Sequence, residues 1–179
     1  MTADFKPFVA LDTTNIGYSH IKQRRLNRPV TTAFGGKLGD YVPFNFCPRS
    51  VMLYVVSRGH EDYAGGQDEI VHLVSSVDTA VALGQEWAFT DLHADLAYAT
   101  YYSELSKLTE VDWSVMPLTY WSKDDDTKQK RQAEFLVHEK FPWRGVEMIG
   151  VKTVAVATKL RAMLSREKPL VAVKPDWYY

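Results

Sequence analysis

The 179-residue chain has one cysteine, Cys47, so it can form no internal disulfide, and the composition fits a reducing cytoplasm. Long apolar runs are missing too. The longest, around Val51–Val56, is far too short to span a bilayer, and no membrane partner is expected. The first residues carry acids and a lysine but no apolar h-region, which argues against a secretory signal. Net charge is nearly absent: 21 Lys+Arg face 22 Asp+Glu. That balance excludes a charged disordered tail and a uniformly basic coat protein for nucleic acid. No segment repeats at a period of about 20–50 residues, and none is low-complexity. With 46% hydrophobic residues the chain can fill one core, so residues 1–179 are expected to form a single cytoplasmic domain.

The common catalytic words are absent as well. There is no G-x-G-x-x-G, P-loop, H-E-x-x-H or G-x-S-x-G. One cysteine and five dispersed histidines offer no closely spaced zinc ligands. Asp124-Asp125-Asp126 has the charge for Mg²⁺, but consecutive side chains point in different directions, and a solvated acidic loop is the simpler reading. No metal is expected. Cys47 has no evident base beside it and reads as a small buried hydrophobe.

What the sequence does contain is a charge asymmetry. Residues 1–60 carry eight basic and three acidic residues, a net of +5, leaving −6 on the other 119. A basic segment of this kind can attract phosphates, although sequence halves mix in space on folding. Strand candidates lie at Tyr41–Phe46, Glu69–Ser75, Trp87–Thr90, Gln132–His138, Val146–Val151 and Pro169–Val173. Helix candidates begin at Thr14 or Asn15 and run through Arg24, follow Pro48, begin at Ser76, and cover Ala94–Leu108 and Thr153–Arg166. Thr31–Gly39 reads as a flexible loop and Trp113–Asp126 as irregular. The irregular alternation points to a mixed α+β domain rather than repeated βαβ units.

Glu134 stands inside the apolar run Ala133–Val137. It lies either on an exposed strand face beside Gln132 or at the wall of a cleft, where desolvation would tune it as a base. The residue pattern alone favours the exposed face. Aromatics beside polar groups (Tyr41, Phe44, Phe46, Tyr54, Trp121, Trp177) can stack unpaired bases, but core packing accounts for most of them.

Several long blocks nevertheless carry a resemblance. The words His20-Ile-Lys-Gln-Arg-Arg25, Gly39-Asp-Tyr-Val-Pro-Phe-Asn-Phe-Cys-Pro-Arg-Ser50-Val-Met-Leu-Tyr54, Gly65-Gly-Gln67, Gln132-Ala-Glu-Phe-Leu-Val137, Phe141-Pro-Trp143 and Asp176-Trp-Tyr-Tyr179 occur in that order. From about Thr13 to Tyr179 the chain resembles the DarT family, toxins of DarT–DarG toxin–antitoxin systems that ADP-ribosylate DNA. The resemblance implies an ADP-ribosyltransferase fold, a split and mostly antiparallel β core flanked by helices, with NAD⁺ as co-substrate in the cleft. It implies a thymidine base of single-stranded DNA as acceptor and a macrodomain antitoxin of the DarG type as partner. The family's catalytic glutamate falls on Glu134 and its essential arginine on Arg25. Cofactor contacts fall on His20 and Arg25, and DNA contacts on Arg49, Met52 and His93.

Two departures from the family pattern stand out. Members begin with a further segment whose H-x-T motif holds the NAD⁺ ribose and nicotinamide, and residues 1–12 contain no histidine to supply it. Asn45 occupies a position where some members carry tyrosine. A non-catalytic DarT-like module that binds nucleic acid is the alternative expectation that these departures raise. Within the resemblance, Trp113–Arg131 is the expected substrate loop, and the basic residues Lys22–Arg28 are expected to face the phosphates of NAD⁺ and DNA.

Overall fold

The structure, a computed structural model, describes residues 16, 18–32, 34–59, 61, 63–122, 124–164 and 169–179. Two sheets organise the chain. The larger has the order β1-β5-β3-β4, with β1 at Tyr41–Asn45, β3 at Trp87–His93, β4 at Tyr101–Tyr102 and β5 at Ala133–His138, all antiparallel. The smaller has the order β2-β6-β7, with β2 at His72–Val74, β6 at Met148–Val151 and β7 at Leu170–Val173; β2 pairs antiparallel and β7 parallel to β6. This is the mixed, mostly antiparallel split core that was expected.

Strand β5 shows why the pattern was ambiguous. Residues opposite one another in antiparallel strands share a face. Phe135 and Val137 therefore join Val42, Phe44, Trp87 and Phe89 in the main core, where Trp87 stacks on Phe135 at 5.5 Å. Leu136 turns the other way, with Tyr41, Ala88, Leu38 and Val30, into a second, smaller apolar cluster. Because both faces of β5 are covered, Glu134 is buried rather than exposed: only 5% of it meets solvent.

Helix starts follow side-chain caps. Ser50 accepts from the Leu53 N–H for α2 (Val51–Arg58), Ser76 from Thr79 for α3 (Val77–Ala82), and Thr153 from Val156 for α5 (Val154–Met163). The aspartate run is a cap as well. Asp124 accepts from the N–H groups of Asp126 and Thr127 to start α4 (Asp125–Lys130), with acids in its first turn and Lys128 and Lys130 in its last, matching the helix dipole. Helix α1 (Ser19–Asn27) begins at Tyr18 without a side-chain cap; Thr14 and Asn15 lie outside the described residues.

The helix expected over Ala94–Leu108 does not form. Asp91 accepts from the Thr100 N–H at 2.9 Å across a turn, and Tyr101 and Tyr102 then pair with Thr90 and Phe89 as strand β4. Stacking of Tyr102 on Phe89 at 5.2 Å rewards the sheet edge, which outweighs the helical spacing. Around the expected loop, the described residues make local contacts. Pro29 and Lys37 form an isolated bridge, and Asp40 accepts from the Lys37 N–H at 2.7 Å. Gly39 lets α1 approach this segment, since a Cβ there would lie 2.9 Å from Leu26 Cα. Among the described residues no helix is long and apolar enough to cross a membrane.

The smaller sheet is closed by the indole of Trp177, which lies over Gly150 so closely that a Cβ there would meet ring carbons at 2.5 and 2.7 Å. Gly150→Ala is expected to destabilise the protein by about 1–3 kcal/mol through overpacking, read as a lower urea midpoint with unchanged slope.

Candidate active site

Three chain segments far apart in sequence meet at Glu134. Strand β5 presents its carboxylate, α1 presents Arg25, and an irregularity in β3 between Phe89 and His93 presents the turn His93-Ala94-Asp95. Arg25 donates from both terminal nitrogens to the two carboxylate oxygens, at 2.8 and 2.7 Å. This planar, two-bonded pairing is what guanidinium geometry favours. The Ala94 N–H donates to Oε1 at 3.2 Å, and His93 Nε2 stands 3.9 Å from the same oxygen. Thr90 Oγ1, fully buried, accepts from the Glu134 N–H at 3.1 Å and donates to the Leu92 carbonyl at 2.6 Å, which stabilises the irregular part of β3.

Burial by itself pushes the Glu134 carboxyl up, but the Arg25 charge and hydrogen bonds, with smaller help from His93 and the Ala94 N–H, hold it below the ordinary glutamate value. Burial tends to lower Arg25, and Glu134 outweighs it and raises the guanidinium. Burial lowers His93 against the pull of Glu134, which leaves a neutral imidazole at pH 7. Tyr101, whose hydroxyl donates to the Ala94 carbonyl at 2.5 Å, is pushed up to about 12, first by burial and then by the Glu134 charge.

A cleft of about 570 Å³ opens between the edge strands of the two sheets. Its described lining includes Pro43, Phe44 and Asn45 of β1, His72–Val74 of β2, Met52 at the start of α2, and Trp177. Glu134 is not itself in that lining. Its neighbours do reach it: Phe135 on β5 and Asn45, the register partner on β1, both line the cleft, and because successive strand residues point to opposite faces the Glu134 carboxylate and the Phe135 ring lie on opposite faces of β5.

Comparison with known proteins shows the family of the chain. A family model described as "ssDNA thymidine ADP-ribosyltransferase, DarT" matches residues 8–179. The chain belongs to the DarT family. A DNA ADP-ribosyl transferase of Thermus sp. (strain 2.9) is 40% identical over 169 residues, covering 92% of this chain and 81% of that protein. The Thermus sp. 2.9 DarT in complex with ADP-ribosylated ssDNA superposes with a TM-score of 0.93 at 37% identity, over 100% of this chain and 87% of that one. The same enzyme in complex with NAD⁺ gives a TM-score of 0.89 at 34% identity, with the same coverage.

In this DarT-family protein the structure brings three of the expected residues together: Arg25, His93 and Glu134. His20 lies on α1 with Arg25 but is exposed, its ring 5.3 Å from that of Tyr18. Met52 lines the cleft and is half exposed. Arg49 sits apart from the cluster, its guanidinium 4.3 Å from the centre of the Tyr179 ring. The expected substrate loop ends on a buried residue: Arg131 is 1% exposed and donates to the carbonyls of Val115, Met116 and Arg49, so it holds the loop instead of facing outward. Residues 1–12, where the H-x-T motif was not found, lie outside the described residues. Among the described residues no group of three or more His, Cys, Asp or Glu could hold a metal ion. Cys47 is buried and its thiol is raised by burial, as an inert core residue should be.

Reading the residues one by one missed Asp95, Tyr101 and the backbone of Ala94. Asp95 stands 71 positions from Arg24 in the chain, and no local spacing announces such a contact.

Because the Glu134 carboxyl is lower in the folded state than the ordinary 4.5, its stabilising contribution is complete above that value and is lost as pH falls through the lower folded one. Urea unfolding from about pH 6 to about pH 3 is expected to show this loss, and Glu134→Gln to flatten that limb of the curve. An acid limb of equal steepness in the variant would show that Glu134 does not carry it.

Proposed function

We propose that this chain transfers ADP-ribose from NAD⁺ to a ring nitrogen of thymidine in single-stranded DNA, with Glu134 and Arg25 carrying the chemistry. The buried, bidentate Arg25–Glu134 pair is the observation that supports it. In the reaction the nicotinamide–ribose bond breaks with its electron pair leaving on nicotinamide, and the sugar becomes cation-like, as in glycoside hydrolysis. A carboxylate held ionised beside that carbon stabilises the developing charge, which is the role assigned to Glu134. The thymine ring nitrogen loses its proton and forms the new bond to the ribose carbon, so the products are modified DNA, nicotinamide and a proton.

Glu134 is the acceptor proposed for that proton, and Arg25 is proposed to polarise the neighbouring base carbonyl, since a guanidinium stays charged and offers paired planar donors. His20 on the exposed face of α1 is assigned to the cofactor with Arg25. Arg49, Met52 and His93 are assigned to DNA: Met52 stands at the cleft mouth, and neutral His93 is positioned to read the base beside the reacting centre. An unpaired strand suits this site, because a base already unstacked needs no extrusion. A macrodomain antitoxin of the DarG type is the proposed protein partner, in a cytoplasmic, single-domain setting.

The test is mass spectrometry of a thymidine-containing oligonucleotide incubated with the protein and NAD⁺, with RNA and bulk protein as parallel acceptors. One added ADP-ribose per modified thymidine is expected on single-stranded DNA alone. Glu134→Gln, with its folding verified by circular dichroism, is expected to give only background. Arg25→Ala is expected to lose about 10²–10³ in kcat. Undiminished turnover without the Glu134 carboxylate would overturn the assignment.

A further inference from the structure

Asp95 belongs to none of the expected contacts, yet it is among the most buried acids of the described residues: its side chain is 2% exposed. It lies between Arg24 of α1 and Arg28, the residue that caps the end of that helix. Arg24 donates from Nε to Oδ2 at 2.8 Å and approaches the same oxygen with a terminal nitrogen at 2.5 Å. Arg28 stands with Nε 3.5 Å from Oδ1, an ion-pair distance, and donates from a terminal nitrogen to the Asp95 carbonyl at 2.5 Å. Arg24 sits in the last turn of α1 and Arg28 just past its end, so the two reach Asp95 from the carboxyl-terminal end of the helix.

We propose that Asp95 is a positioning residue for ADP-ribose transfer: clamped between Arg24 and Arg28, it sets the place and rotation of α1 so that Arg25 meets the Glu134 carboxylate in its plane. This rests on the reading of Arg25 and Glu134 given above. Helix α1 buries no residue of its own, so apolar packing does little to hold it. The turn that carries Asp95 also supplies the Ala94 N–H to Glu134, and the Tyr101 hydroxyl ties that turn to strand β4. One short turn thus orients the carboxylate directly and its guanidinium partner through the helix. A carboxylate this buried strongly disfavours losing its cations, so undocking of α1 is opposed in a way that surface ion pairs could not achieve. The accuracy gained matters because a displacement of about 1 Å at a reacting group can lower a rate by about 10²-fold.

Two variants and two readouts test the clamp. Asp95→Asn keeps the side-chain shape and removes the charge. Arg24→Gln with Arg28→Gln removes the cations from the more exposed side and keeps the core intact. Both are expected to lower kcat by about tenfold to a hundredfold, while KM for NAD⁺ moves by less than about threefold. Combining all three substitutions is expected to lower kcat no further than Asp95→Asn alone, because they disable one device. ¹⁵N spectra of the Arg25 guanidinium report the pair without turnover, and restricted rotation of its terminal nitrogens is expected in the wild type and lost in both variants. A folded Asp95→Asn protein with wild-type kcat, or with the Arg25 signature unchanged, overturns the clamp. A wild-type protein that shows the Arg25 signature but transfers no ADP-ribose overturns the functional reading instead.

Discussion

A carboxylate shut away from water must be matched by positive charge and hydrogen bonds or it will not stay ionised. Glu134 is the point at which this fold meets that requirement. The guanidinium of Arg25 takes both oxygens, and the Ala94 N–H adds a third bond to Oε1. Removing either member of such a pair strands the other as a buried charge, at a cost of about 3–5 kcal/mol. The docking of α1, the irregular end of β3 and the position of the Tyr101 edge strand all serve this one group.

The pairing changes the meaning of the basic amino-terminal segment. Its net charge of +5 suggested a surface that attracts phosphates. In the fold, Arg24, Arg25 and Arg28 turn instead to two buried carboxylates, Glu134 and Asp95, both contributed by the acidic remainder of the chain. Much of the asymmetry is therefore internal complementarity that draws α1 onto the larger sheet. The cations that remain for ligands are those on the outer side of the same helix and near the cleft.

A second buried cation shapes the opposite side of the site. Arg131 meets no carboxylate among its hydrogen-bond partners; three backbone carbonyls receive its guanidinium, and Trp121 lies 5.7 Å away. Through it the segment before β5 is fastened to Arg49 at the start of α2. Tyr179 joins the same junction by donating to the Arg49 carbonyl and receiving the Trp121 indole N–H. Glu134 follows Arg131 by only three residues, so the root of the proposed substrate loop and the reacting carboxylate lie on one stiff stretch of chain.

Local chemistry made much of the fold legible. Ser50, Ser76 and Thr153 cap helices because their oxygens reach the free N–H groups of a first turn, a contact written within four residues, whereas the aspartate at 124, read as part of a solvated loop, turned out to cap a helix as well. Apolar runs marked six of the seven strands, and the order of the words from His20 to Tyr179 marked the family. The short strand at Tyr101–Tyr102 escaped because its reward, pairing with Thr90 and Phe89, lies in another segment. The burial of Glu134 escaped for the same reason: a strand's sequence does not say whether its second face is covered. By itself the sequence determined the class of chemistry, through Glu134, Arg25 and the blocks around them. Only the tertiary structure decided that the glutamate is held ionised, and that Asp95 is buried against Arg24 and Arg28. Those outcomes depend on contacts between residues 40 to 109 positions apart, which exist only once the chain has closed on itself.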